Sequence, residues 1–202
     1  MNWEKESSRI YPIRPLIDVR LLEASEFVDS ETDQKYIVVE RGQYDNEKRK
    51  YEEFKSLGLP VFDMRYDQDM IRYFIPAGTE TMKSYMPKVI ESINSELEST
   101  NRSEIYVPFY ELGKLLGKMS SYRIGFSNYS VLEKIAITPD LSGRFGLQNF
   151  LIPPLDFKFQ SKQYIDIDRT LAEIRGYHLK KEDHNYLVES LMTGFVEYTW
   201  EN

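Results

Sequence analysis

Apolar residues come in short alternating runs along the first third of the chain, and in the three-and-four spacing of helices along the remainder. Residues 10–16 hold Pro12 and Pro15 and read as an edge strand or arm, because proline cannot donate to a sheet ladder. Residues 19–28 alternate loosely, 29–34 are a polar turn, and 35–40 form a β-branched strand, together a hairpin. Asp45 or Asn46 then caps a helix that runs to Leu57, where Gly58 ends it and Pro60 prevents its return. Tyr51, Phe54 and Leu57, spaced by three, give that helix one apolar stripe. A second hairpin, 61–66 with 70–75, closes around Asp67-Gln68-Asp69, and Pro76-Ala77-Gly78-Thr79-Glu80 breaks the pattern as a lobe boundary.

Beyond that boundary the pattern is mostly helical. Residues 81–98 carry Met86, Val89, Ile90, Ile93 and Leu97 on one side, and 98–104 read as a polar loop. Residues 107–122 present Leu112, Leu115, Leu116 and Met119 as a buried face, and Gly113 and Gly117, four apart, permit a close helix neighbour. A small hairpin, 134–138 with 144–150, surrounds Pro139-Asp140-Leu141-Ser142-Gly143. Pro153-Pro154 punctuates an irregular stretch, and helices over 166–177 and 185–198 close the chain.

Composition narrows the chemistry. At 202 residues and 41% apolar content the chain can build a core of one domain. Its 33 acidic against 26 basic residues, a net charge of −7, disfavour nucleic acid as the main ligand. The absence of Cys removes disulfides, thiolate metal sites and a thiol nucleophile, and two histidines cannot build a multi-histidine centre. His178 and His184 flank a Lys-Lys-Glu-Asp turn and read as solvated. No apolar run approaches a membrane span and the N-terminus has no signal-peptide pattern, so a soluble cytoplasmic protein is expected. Gly-x-Ser-x-Gly and the Gly-x-x-x-x-Gly-Lys-Ser/Thr phosphate loop are absent.

Several stretches carry a resemblance: Leu112-Gly113-Lys114-Leu115-Leu116-Gly117-Lys118-Met119-Ser120-Ser121-Tyr122-Arg123-Ile124, Ile135-Ala136-Ile137, Gly146-Leu147-Gln148-Asn149-Phe150, Tyr164-Ile165-Asp166-Ile167-Asp168 and Leu191-Met192-Thr193-Gly194-Phe195. In that order they resemble small protein-kinase-like proteins, of the type of RIO kinases, the small kinase of the KEOPS complex and bacterial lipopolysaccharide kinases. They fall on the helix entering the catalytic loop, the strand after it, the segment delivering the metal-binding Asp, and the last helices. The resemblance implies an α+β class and a bilobal kinase-like fold. Its N-lobe, 1–76, would be a five-stranded antiparallel sheet plus one helix, and 77–202 a short, mainly helical C-lobe, the two forming one domain.

By the same resemblance most of the chemistry is gone. Phosphoryl transfer needs amides on the phosphates, a Lys–Glu pair, an Asp at the attacking hydroxyl, and Asn and Asp on Mg²⁺. Residues 11–22 contain no Gly for a phosphate loop. Where the third strand should carry Lys it reads Val38-Val39-Glu40-Arg41; Arg41 offers a charge of different shape, and Lys35 is the other nearby cation. Of Glu47, Glu52 and Glu53, one falls at the pairing position, although a solvated helix face explains all three; Glu52 is kept as a weak nucleotide-side candidate. The catalytic Asp falls on Asn128 or Tyr129, a neutral amide or a weak acid. The metal-binding Asn falls on Glu133 or Lys134, of which only Glu133 suits Mg²⁺. The metal-binding Asp falls on Asn149, or on Asp156 if the loop carries an insertion.

A degenerate kinase-like protein, a pseudokinase acting as a protein-interaction or regulatory scaffold with no cofactor, is the leading expectation. Its partner is an unknown protein, neither nucleic acid nor membrane. The alternative is a divergent phosphotransferase using ATP and Mg²⁺ through Asp156 and Arg41 or Lys35, and a further one is an unrelated α+β binding domain. Asp166 and Asp168, two apart on a helix, diverge by about 200° and cannot share a task. Asp166 instead resembles the carboxylate that holds the catalytic-loop backbone from below.

Overall fold

The computed structural model describes residues 3–7, 23–29, 34–42, 47–67, 70–94, 102–127, 130–139, 145–151, 157–159 and 165–200. Strands β1 (Trp3–Ser7), β2 (Glu23–Asp29) and β3 (Gln34–Gly42) lead to helix α1 (Glu47–Ser56), then β4 (Asp63–Asp67) and β5 (Met70–Pro76). These strands pair antiparallel in the order β1-β2-β3-β5-β4. Strand β5 lies between β3 and β4, and its alternate residues Ile71, Tyr73 and Ile75 are fully buried. Tyr51 and Phe54 of α1 join them in the core.

Local chemistry ends α1 where its sequence says it should. Gly58 takes φ +65°, Gly58 N–H donates to Lys55 O (3.0 Å) and Leu59 N–H donates to Phe54 O (2.9 Å). That is the Schellman arrangement, which satisfies carbonyls the helix leaves open. Lys118 Nζ also donates to Gly58 O at 2.7 Å, tying this end to the second half of the chain.

The second half begins with β6 (Glu80–Thr81) and α2 (Met82–Asn94), followed by α3 (Arg102–Ser121) and β7 (Ile124–Phe126). Then come β8 (Ile135–Pro139), β9 (Phe145–Leu151), β10 (Phe157–Phe159), α4 (Ile165–Arg175) and α5 (Lys181–Trp200). Thr81 pairs with Ala136 of β8, and its hydroxyl accepts from Ser84 N–H (2.9 Å), capping α2. One hydrophobic cluster runs from Tyr51 of α1 through Ile75 and Met82 to Phe195 of α5.

The architecture expected from the sequence needs correction. The α+β class holds, but the strands are not one sheet followed by a short, mainly helical lobe. Among the described residues they divide into three sheets: the expected small hairpin is present as β8 with β9, but β6 joins it and β7 pairs with β10, all beyond residue 79 and interleaved with four helices. The outer strand beside β2 is Trp3–Ser7; residues 10–16, expected as an edge strand or arm, lie outside the described residues. Strands of two or three residues show no periodicity of their own. They exist because a distant strand pairs with them, as Phe157–Phe159 does with Ile124–Phe126. Two helices also start earlier than the pattern suggested. Helix α3 begins at Arg102 inside the expected polar loop, and the supposed Lys-Lys-Glu-Asp turn is largely the first turn of α5, where Glu182 and Asp183 suit the helix dipole.

Helices α3 and α5 pack backbone to backbone through glycines. A methyl group on Gly113 would strike Leu191 O and stand 2.8 Å from Phe195 N; one on Gly117 would stand 2.8 Å from Phe195 O. From the other side, a methyl on Gly194 would strike Tyr110 O. Leu112, Leu116, Leu187 and Leu191 are almost wholly excluded from water in the same core. Replacing Gly113 or Gly194 by Ala forces the helices apart and should cost about 3 kcal/mol or more. The same change at exposed Gly176, where the nearest atom would be 3.2 Å away, should cost about 1 kcal/mol or less. Urea unfolding of the three variants checks this.

Candidate functional site: the loop between β7 and β8

The segment that resembles a catalytic loop connects β7 to β8, and α4 holds it. On α4, Ile167, Thr170 and Ile174 are buried, while Asp166, Arg169 and Glu173 recur at i, i+3 and i+7 and so share a face. Asp166 Oδ2 accepts from Phe126 N–H at 2.9 Å. Arg169 Nη1 donates to Phe126 O at 3.1 Å and to Asp166 Oδ1 at 3.3 Å. The backbone N–H and C=O of buried Phe126 are thereby both met from one helix. The expectation that Asp166 holds the loop backbone is met, and Asp168, 200° round the helix, is exposed as that spacing requires.

Glu173 secures the far side of the loop. Its carboxylate accepts from Val131 N–H (2.5 Å), Ser130 Oγ (3.0 Å) and Leu132 N–H (3.4 Å). Lys134 N–H donates to Val131 O (2.9 Å), and Lys83 N–H of α2 donates to Leu132 O (3.1 Å). Val131 and Leu132 are sealed in the core. The loop is therefore held through its backbone, which leaves its outward side chains free to vary. Glu173, Arg169 and Lys83 did not figure in the sequence reading; the Asp-x-x-Arg-x-x-x-Glu spacing of α4 was the available signal.

The residues singled out for phosphate and metal chemistry are dispersed. Glu133 is half exposed and ion-paired with Lys83 Nζ, whose pKa is raised chiefly by that hydrogen bond. An exposed pair of this kind adds little stability, about 1 kcal/mol at most. Burial raises the Tyr177 phenol, while nearby Lys83 works in the opposite direction. Lys134 is half-buried. Asn149 sits mid-strand in β9, in register with Ile137 of β8, and so is not part of a loop. Asp156 directly precedes β10, whose Phe157 pairs with Phe126 at the start of the loop. Asp156, Asn128 and Tyr129 themselves lie outside the described residues, as do residues 11–22, where a phosphate loop was sought.

At the first sheet, Arg41 stands in register with Ile71, and Lys35 is exposed with its carbonyl accepting from Ala77 N–H at 2.8 Å. Glu52 and Glu53 are exposed on α1. The carboxylate that α1 buries is Glu47, and it accepts from the hydroxyl of Tyr73 on β5. A neutral phenol thus occupies a buried glutamate, and the strand opposite Tyr73 carries Val39. Among the described residues no group of three His, Asp or Glu could hold a metal ion. None of their helices is long and apolar enough to cross a membrane.

No protein-family model matches the chain, and no curated protein matches it in sequence.

The α4 clamp makes a clear prediction. Asp166→Ala leaves a buried N–H without its acceptor and should cost about 2 kcal/mol, which lowers the melting temperature by about 4–8 °C in a chain of this size. Glu173→Ala should do the same, whereas Asp168→Ala should shift it by less than about 1 °C. Calorimetric melting of the three variants reads this directly.

Proposed function

We propose that this chain is a catalytically degenerate relative of the small kinase-like proteins and works as a protein-interaction or regulatory scaffold. The observation that carries the reading is the division of labour at the β7–β8 loop. Its two ends are held by Asp166, Arg169 and Glu173, at Phe126 and at residues 130–132, while the sequence between them carries Asn128 and Tyr129 where the resemblance calls for Asp. Catalysis of phosphoryl transfer is placement plus charge. A loop that keeps placement and loses charge is suited to being recognised rather than to reacting.

Two further features support it. Glu47 is held by Tyr73 instead of a lysine, and Glu133, the loop carboxylate suited to Mg²⁺, is paired with Lys83. In this reading the protein acts in the cytoplasm on a protein partner, without nucleotide, and its net charge of −7 argues against nucleic acid.

One observation favours the second reading, a divergent ATP- and Mg²⁺-dependent phosphotransferase. Asp156 directly precedes in sequence Phe157, which is registered with Phe126 at the start of the loop, whereas Asn149 pairs within a strand. Thermal shift and titration calorimetry with ATP and ADP, with and without Mg²⁺, separate the two. The scaffold reading expects no Mg²⁺-dependent stabilisation and no phosphotransfer. Stabilisation by more than about 2 kcal/mol at saturating nucleotide, with turnover lost in Asp156→Asn or Glu133→Gln, would replace it with the enzyme.

A further inference from the structure

The outer face of α5 is a stripe distinct from the face that meets α3. Tyr186, Glu189, Ser190, Thr193 and Val196 recur at helical spacing, about 130° from the buried Leu187, Leu191 and Gly194. Tyr186 (55% exposed) and Val196 (41%) are two of the three large apolar side chains that stand out into water among the described residues. Between this stripe and α3 runs a groove of about 480 Å³, walled by Tyr106, Tyr110 and Tyr186 and rimmed by Glu189 and Thr193. Ser190 Oγ donates to Tyr106 O at 3.0 Å and fixes the two walls together.

The groove has a definite charge preference. Glu189 lines it, exposed Glu197 beside it accepts from the Tyr110 hydroxyl, and after Lys181 α5 carries no lysine or arginine. On α3, Lys114 is engaged by Glu111 at 3.1 Å. Its ammonium also lies 5.4 Å from the centre of the Tyr110 ring, so a wall of this groove already receives an ammonium from its own chain. Aromatic faces beside carboxylates suit lysine and arginine side chains, whose stems bury against the rings while their heads meet the rim.

We propose that the α3–α5 groove is the docking surface of the scaffold and takes a basic amphipathic helix of a partner protein, its apolar residues against the tyrosines and its lysines or arginines on Glu189 and Glu197. The proposal rests on the scaffold reading and names the class of partner it would hold.

The test uses the intact chain without nucleotide, titrated into a fluorescent synthetic amphipathic Leu/Lys helix and into its Leu/Glu counterpart. Saturable binding of the Leu/Lys helix alone is expected. Glu189→Lys and Tyr186→Ser should each weaken it about tenfold or more, while Glu91→Lys, the same charge change on the exposed side of α2, should weaken it less than about threefold. Thr193→Arg, at an exposed position, replaces Tyr186→Ser if the latter lowers the melting temperature. No saturable binding, equal binding of both peptides, or equal loss in Glu189→Lys and Glu91→Lys overturns the proposal. So does a concentration-dependent dimer that Tyr186→Ser dissociates, which would assign the groove to a second copy. Mg²⁺-ATP turnover would defeat the scaffold reading without altering this titration, so the two failures are distinguishable.

Discussion

A single carboxylate sets the geometry around which the second half of the chain is arranged. Asp166 accepts the Phe126 N–H, and Arg169, ion-paired to that carboxylate, takes the carbonyl of the same residue. Phe126 is the last residue of β7 and the one opposite which β10 begins. The same helix then reaches the far end of the loop with Glu173. Buried backbone groups left without these partners would cost about 1–3 kcal/mol each. Strand pairing, loop shape and core packing of Val131 and Leu132 therefore share one support.

In the proposed reading, this arrangement lets reactive groups be exchanged without loss of the loop. Its partners bind backbone atoms, and backbone atoms are the same whether residue 128 is Asp or Asn. Selection on the loop's shape and selection on its chemistry are thus separable. One ion pair and one hydrogen bond point the same way. Lys83 neutralises Glu133 at the surface, and Glu47 is answered from β5 by a phenol. Each carboxylate has an intramolecular hydrogen-bond partner. The glycine seam between α3 and α5 contributes from the other side, because close backbone packing holds α5 firmly enough to present its outer stripe as a fixed surface.

How much of this was legible in the sequence depended on the range of the interactions. The helix 47–56 was visible because its stripe, its Gly58 stop and Pro60 are local signals, and the structure shows the Schellman bonds that those residues imply. Gly113 and Gly117 announced a close neighbour, but their spacing did not say that Gly194 would meet them. Asp166 was placed by resemblance, whereas Glu173, two turns on, escaped notice because a lone glutamate on a helix reads as solvated. The short strands β6, β7 and β10 carry no pattern of their own and arise from pairing across tens of residues. The start of α3 was hidden for a related reason: residues 98–104 are polar all round, and only tertiary packing of the following turns recruits Arg102 into the helix.

The most direct measurement is amide hydrogen exchange at Phe126 and Val131, with and without Mg²⁺-ATP. If α4 holds the loop for shape alone, both amides are strongly protected in the free protein, and nucleotide leaves their exchange unchanged. Fast exchange in the free protein that becomes slow only when Mg²⁺-ATP is added would contradict the account, since the loop would then owe its order to a substrate.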